Sequence, residues 1–266
     1  MRKPLHTLVL VGAAAALAGT ATLSASAAPP LPAPPGLDHF KCYTIKASAV
    51  TPHTPTVLLI DQFGSSQDNV AKAPNRLCNP VEKRRLSGEV TPVNNPMAHL
   101  VCYRITEAAT PPREVRVQNQ FGTARLTVGQ AQRLCLPSWK MHTPEFPAPT
   151  APGGLDHFKC YAAKYSAVQV DRFENKPPTV VLKDQFETAQ AKIGAPVELC
   201  NPVEKRRPDG EVTPITNFDA HQVCFVITQD PAHVSQHVFT KNQFGNAIID
   251  TVAESRLCLP SFKQLV

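Results

Sequence analysis

The sequence predicts an all-β protein built from disulfide-stapled units. Three observations carry this. One stretch occurs four times, and all eight cysteines fall inside it, two per copy. The segments around them alternate in period two or are rich in β-branched and aromatic residues, with no sustained 3.6-residue period. The clearest copy runs from His99 to Lys140 as HLVCYRIT, VRVQNQFG, LTV and RLCLPSWK, and the others open at His39, His157 and His221. The shared pattern is H-x-x-C-[YF], then [DN]-Q-F, then L-C-[NL]-P-x-x-K.

The chain opens on a leader, residues 1–27. Arg2 and Lys3 precede an apolar run from Leu8 to Ala18, and Ala25-Ser26-Ala27 is a small-x-small cleavage site. The apolar run is too short for a membrane span, and no second long one follows. Export is therefore expected, with a secreted or wall-associated product and no membrane span. The leader holds two of the 27 basic residues and none of the 21 acids, so the remaining balance is only mildly basic. That argues against nucleic acid, which calls for a concentrated basic stripe. The short runs 83–85 and 205–207 are expected as solvated turns.

Residues 28–36 and 141–154 are Pro-rich linkers. Each leads into Gly-Leu-Asp-His-Phe-Lys-Cys-Tyr, at Gly36 and Gly154. This divides the chain into two homologous domains, 37–140 and 155–266, each barrel- or sandwich-like with an internal pseudo-twofold repeat. The repeats are 1 (39–83), 2 (99–140), 3 (156–205) and 4 (221–263). Spacing between matching residues changes between Val50 and Val57, between Gly64 and Cys78, and between Cys102 and Asn119. Turns are expected in all three.

Within the repeats, Val115, Val117, Asn119 and Phe121 share one strand face, as do Val57, Leu59, Asp61 and Phe63. Gly64, Gly122 and Gly245 follow the Gln-Phe pair and suit a tight turn with positive φ. Pro208-Asp209-Gly210 is a further turn. One helical turn is expected in each of 128–135 and 253–258.

An even cysteine count in an exported chain reads as disulfides. Zinc is the rival, since His-x-x-Cys occurs four times. Residues three apart on a strand point to opposite faces, so His99 and Cys102 chelate poorly together. No metal and no cofactor is expected. Four cysteines per domain allow three connectivities, and the repeat favours pairing within each copy: Cys42 with Cys78, Cys102 with Cys135, Cys160 with Cys200, Cys224 with Cys258. A swapped pattern, Cys42 with Cys135 and Cys78 with Cys102, stays open.

The four opening histidines read as strand-opening residues bonded to a backbone carbonyl, against a rival reading as a ligand ring. Asp61, Asn119, Asp184 and Asn242, with the glutamines after them, read as ties to neighbouring loops, and Phe63, Phe121, Phe186 and Phe244 as core. Lys83, Lys140, Lys205 and Lys263 are expected at exposed strand ends. Trp139 and Phe262 hold equivalent places beside two of them. Buried, they cap the barrel; exposed, they stack on sugars, which makes Trp139, Phe262, Lys140 and Lys263 the candidate ligand contacts. No nucleophile elbow, phosphate loop or metalloprotease motif is present, so no catalytic residue is assigned.

The motif as a whole resembles a family of secreted prokaryotic repeat domains of unknown function, over nearly the entire mature chain in four half-units. The resemblance implies no activity, substrate or site. Repeat 3 departs from it with Glu187 where the others have Gly, which questions the geometry of that turn. Two functional classes follow. One is an exported, monomeric, non-enzymatic binding or structural module whose partner is an extracellular polymer, glycan or protein. The other is a secreted hydrolase with its site in a groove of one domain.

Overall fold

The computed structural model describes residues 36–53, 56–147, 152–167, 173 and 178–266; the leader 1–27 lies outside them. Every regular element is a strand. Repeat 1 forms β1 (Phe40–Ala47), β2 (Thr56–Asp61), β3 (Gly64–Pro80) and β4 (Glu82–Arg85), followed by β5 (Val90–Thr91). Repeat 2 forms β6 (His99–Thr106), β7 (Arg113–Asn119) and β8 (Gly122–Met141). Repeat 3 forms β9 (Phe158–Tyr165), β10 (Thr179–Lys183), β11 (Thr188–Pro202) and β12 (Glu204–Arg206), followed by β13 (Val212–Thr213). Repeat 4 forms β14 (His221–Asp230), β15 (His237–Asn242) and β16 (Gly245–Leu265).

Eight antiparallel strands close into one ring: β1, β3, β6, β8, β9, β11, β14, β16 and back to β1. Each repeat supplies two of them. The strand pairing does not respect the expected boundary at 141–154, because β8 pairs with β9 across it and β1 pairs with β16. Two separately closed domains thus give way to a single four-repeat barrel. The end of each repeat also crosses to the repeat two places away. There β4 pairs with β10, β12 with β2, the end of β8 with β15, and the end of β16 with β7.

Alternation sorts the side chains. On β1 and β3, Phe40, Cys42, Arg76 and Cys78 face one way, and Lys41, Tyr43, Leu77 and Asn79 the other. The first set faces inward. All eight cysteines surround one residual cavity of about 10 Å³, room for one water at most. They form the pairs Cys42–Cys78, Cys102–Cys135, Cys160–Cys200 and Cys224–Cys258, each within its own repeat. An eight-stranded barrel is just wide enough for side chains to fill it, and here cystines do so. The outward set, including Tyr43, Leu77, Val101 and Leu134, packs under Val57, Leu59, Val115, Val117, Val180 and Leu182 from the second strands.

Several local expectations change. Residues 128–135 and 253–258 lie within β8 and β16, where ladder pairing on both sides overrides any helical preference. The length change between Gly64 and Cys78 is absorbed by a bulged strand instead of a turn, with register shifts around Pro74. Pro lacks the N–H that a regular ladder needs, so it fits the bulge. Residues 83–85 and 205–206 of these runs lie in strands, and their lysines are buried. Gly64, Gly122 and Gly245 take φ of +122°, +109° and +129°. Repeat 3 lacks this conformation: Asp184 Oδ1 accepts from both Phe186 N and Glu187 N, and the turn opens to suit the glutamate.

Candidate binding site

The [DN]-Q-F residues join repeats across the barrel. The Asx Oδ1 accepts from the Phe backbone N–H in every repeat. The remaining side-chain atoms reach the repeat two places away. Asp61 Oδ2 accepts from Tyr161 and Asn201, Asp184 Oδ2 from Tyr43 and Asn79, while Asn119 donates to Ser261 and Asn242 to Ser138. The glutamines tie loops: Gln185 donates to Pro96 O and Gln62 to Phe218 O. Burial of these polar groups is tolerable because they are paired.

The Pro-x-x-Lys lysines overturn the expectation of exposed strand ends. Lys83 and Lys205 have no exposed surface, and Lys140 is 6% exposed. Each ammonium lies near the Phe ring of the next repeat: Lys83 by Phe121 at 5.8 Å, Lys140 by Phe186 at 4.1 Å, Lys205 by Phe244 at 5.6 Å and Lys263 by Phe63 at 4.3 Å. Lys140 and Lys263 also donate to Asn79 and Asn201, at 2.8 and 2.7 Å. Burial pulls Lys83 and Lys205 down to about 8, and Lys140 and Lys263 to about 7.

The opening histidines are buried as well. Burial, with the same-repeat lysine nearby, lowers His39, His157 and His221 to about 3 and His99 well below its ordinary value. The expected carbonyl bond is reversed at two of them. Main-chain oxygens of His39 and His157 accept from Val81 N and Val203 N, whereas both ring nitrogens of His99 and His157 lack partners among the described residues.

Trp139 and Phe262 are both half-buried, at equivalent places on β8 and β16. Beside Phe262 lies a cleft of about 290 Å³, lined by Arg116, Val117, Gln118, Thr123, Phe262, Lys263 and Gln264. Gln118 stands opposite Phe262 on one side and Thr123 on the other, so amide, ring and hydroxyl share a face. The equivalent surface by Trp139 is dressed differently. Phe146, from the segment after β8, lies against Lys241, which pairs with Trp139. The four candidate residues are therefore divided: Phe262 and Lys263 share the cleft, and Trp139 and Lys140 sit on the other side of the pseudo-twofold.

Two charged arrangements escaped sequence reading. Glu187 accepts from His233 Nδ1 at 2.9 Å, and His233 Nε2 meets Thr251 Oγ1 at 2.7 Å, an acid–His–hydroxyl relay. Thr251 is fully buried and its Oγ1 already accepts from Gln236 N, so no substrate atom can approach it. The second is a quartet inside the barrel, Arg76, Arg133, Glu198 and Arg256, each two residues before the second cysteine of its repeat. Alternation would have placed it inward once the ring was known.

The profile of a family described as a repeat of unknown function (DUF7450) matches residues 103–260. The chain belongs to the DUF7450 family. The matched DUF7450 segment opens in β6, crosses 141–154 and closes in β16, so it takes in most of repeats 2 to 4 and leaves β1 and β3 of the ring outside. No curated protein and no solved structure matches. The four cystines of this DUF7450 protein suit an oxidising compartment. Among the described residues no helix is long and apolar enough to cross a membrane.

Proposed function

We propose that this protein is an exported, non-enzymatic binding module of the cell envelope or extracellular space, with the Phe262 cleft as its contact surface. The observation that carries the reading is the make-up of that cleft. A half-buried aromatic ring is flanked by Gln118, Gln264, Thr123 and Arg116. Rings and planar amides of this kind suit sugar rings and their hydroxyls, and Arg116 adds a preference for acidic sugars. The leader-like sequence at 1–27 and the disulfide-stapled barrel suit the same setting.

The test is retention on isolated cell wall and on a glycan panel by the oxidised, secreted chain. Saturable binding is expected, weakened about tenfold by Phe262→Ala. Absence of binding to every wall fraction and glycan, or binding that ignores Phe262→Ala, would sink the reading. A hydrolase is the second reading, motivated by the Glu187–His233–Thr251 relay. It predicts that Thr251→Val abolishes activity on a wall substrate without unfolding the chain. The hydroxyl's burial speaks for a structural tie between the 231–236 segment and β16 instead.

A further inference from the structure

The quartet inside the barrel is not electrically balanced. Arg76, Arg133 and Arg256 all donate to Glu198, which has no exposed surface. Arg76 and Arg256 share Oε2, and Arg133 takes Oε1. Both carboxylate oxygens are engaged, yet three guanidiniums face one carboxylate. Burying like charges together is costly unless a counter-charge is present.

The next layer outward supplies none. Across the strand pairs, Arg76 stands opposite Thr44, Arg133 opposite Arg104, Glu198 opposite Ala162 and Arg256 opposite Val226. Among the described residues that layer adds another cation and no acid. Glu254, beyond the bulge on β16, lies opposite Tyr43 and so belongs to the outer face. Thr44, Arg104 and Val226 are exposed, so this end of the ring opens to solvent. Side chains of Arg133 and Arg256 remain 14% and 21% exposed. The Nε of Arg133 is buried without a partner among the described residues.

We infer that this mouth of the barrel binds a multivalent oxyanion, a phosphate or sulfate group, held by Arg133 and Arg256 from within and by Arg104 at the rim. Guanidinium groups take such anions through paired N–H donors, and two negative charges balance the quartet's excess. Glu198 fixes the arginines and leaves their outer donors for the ligand. The site lies inside the ring, apart from the Phe262 cleft, and stands whether or not that cleft binds glycans.

Isothermal titration of the full oxidised chain with sodium phosphate, sodium sulfate and sodium acetate at low ionic strength tests this. One-to-one binding of phosphate or sulfate is expected, with acetate about tenfold weaker. The preferred anion separates a phosphate source from a sulfate source. Arg256→Gln should weaken binding about tenfold, and Arg104→Gln, an exposed change that leaves the buried quartet intact, about threefold. The inference is overturned if neither anion binds saturably, if acetate binds as well, or if Arg104→Gln and Arg256→Gln both bind like the parent. Should Arg256→Gln not fold, Arg104→Gln alone decides.

Discussion

The halves 37–140 and 155–266 repeat one framework, and they differ most tellingly where one residue breaks the repeat. Glu187 stands in the C-terminal half where the other repeats have glycine, and Glu198 stands where they have arginine. Both carboxylates serve the other half. Glu187 accepts from Lys41 at 2.7 Å, and Glu198 accepts from Arg76 and Arg133. The traffic also runs the other way: Lys159 donates to Asp68 and Glu107 of the N-terminal half, at 3.2 and 2.6 Å. Near-duplicate halves have thus become complementary. The repeat fixes where each cation sits, while its counter-charge comes from a residue the repeat does not share.

Complementarity of this kind makes the halves obligate partners, and the largest expected effect follows from separating them. Alone, each half leaves four ring strands with two open edges and buried charges without partners. Neither 37–140 nor 155–266 should give a dispersed amide spectrum by itself, and mixing the oxidised halves should restore one. A stable homodimer of 37–140 would break the comparison, since it would gather Arg76 and Arg133 twice over with no glutamate.

The next effect contrasts two of the buried lysines, Lys159 and Lys41. Lys159→Met strands Asp68 and Glu107, whose side chains are 0% and 5% exposed, and should cost about 3–5 kcal/mol. Lys41→Met strands Glu187, which is 16% exposed and keeps Tyr43, Gln229 and His233, and should cost about 1–3 kcal/mol. Urea unfolding of both variants measures the difference. Equal losses would mean that the two clusters are interchangeable.

Much of this was legible in the sequence, and the unread part has one cause. Period-two segments such as 115–121 and the cysteine placing gave strands and within-repeat cystines, because both are local to a repeat. Ring closure was not legible: the Pro-rich stretch 141–154 reads as a boundary whether its flanking strands pair with each other or not. The lysines were misplaced for the same reason. Lys83 looks like a solvated turn in Glu-Lys-Arg-Arg until β4 is known to pair with β10 beneath Phe121. Contacts between repeats depend on which repeats meet, and one sequence does not encode that as a motif.

Where the halves agree, pH should act on them alike. Lys83 and Lys205 are held near 8, Lys140 and Lys263 near 7, all below an unfolded value of 10.5. The unfolded chain therefore binds more protons between about pH 7 and 10.5, so stability rises with pH across that window. The same sign holds lower down. His39, His157 and His221 sit near 3 against 6.5, so stability is lost as pH falls from 6.5 to 3. Burial and the facing Asp184 raise Tyr43 above its ordinary 10.0, so stability falls again above pH 10. Thermal melts should peak at about pH 10, where the rise from the lysines meets the fall from the tyrosine. Lys83→Met and Lys205→Met should each flatten the alkaline rise by the same amount, and a rise unaffected by either would refute the assignment.

The smallest effect compares the turn glycines across the halves. Gly64 and Gly245 have the same sense of φ, +122° and +129°, which an L side chain adopts only with strain. Their surroundings differ. An added Cβ at Gly64 meets nothing within 4 Å, whereas at Gly245 it would lie 2.7 Å from Pro52 O and 2.8 Å from Thr51 O. Backbone oxygens held by the Thr51–Asn246 bridge cannot simply rotate aside. Gly64→Ala should therefore cost about 1 kcal/mol, the conformational strain alone. Gly245→Ala should cost measurably more, because repeat 4 must also push the 51–52 segment of repeat 1 away. Amide exchange sharpens the distinction: Gly245→Ala should speed exchange in β1 and the 48–53 segment, across the seam that closes the ring, while Gly64→Ala should leave that seam protected. If both variants lose the same stability and β1 stays protected in each, the contact at 51–52 does not hold the two ends of the chain together.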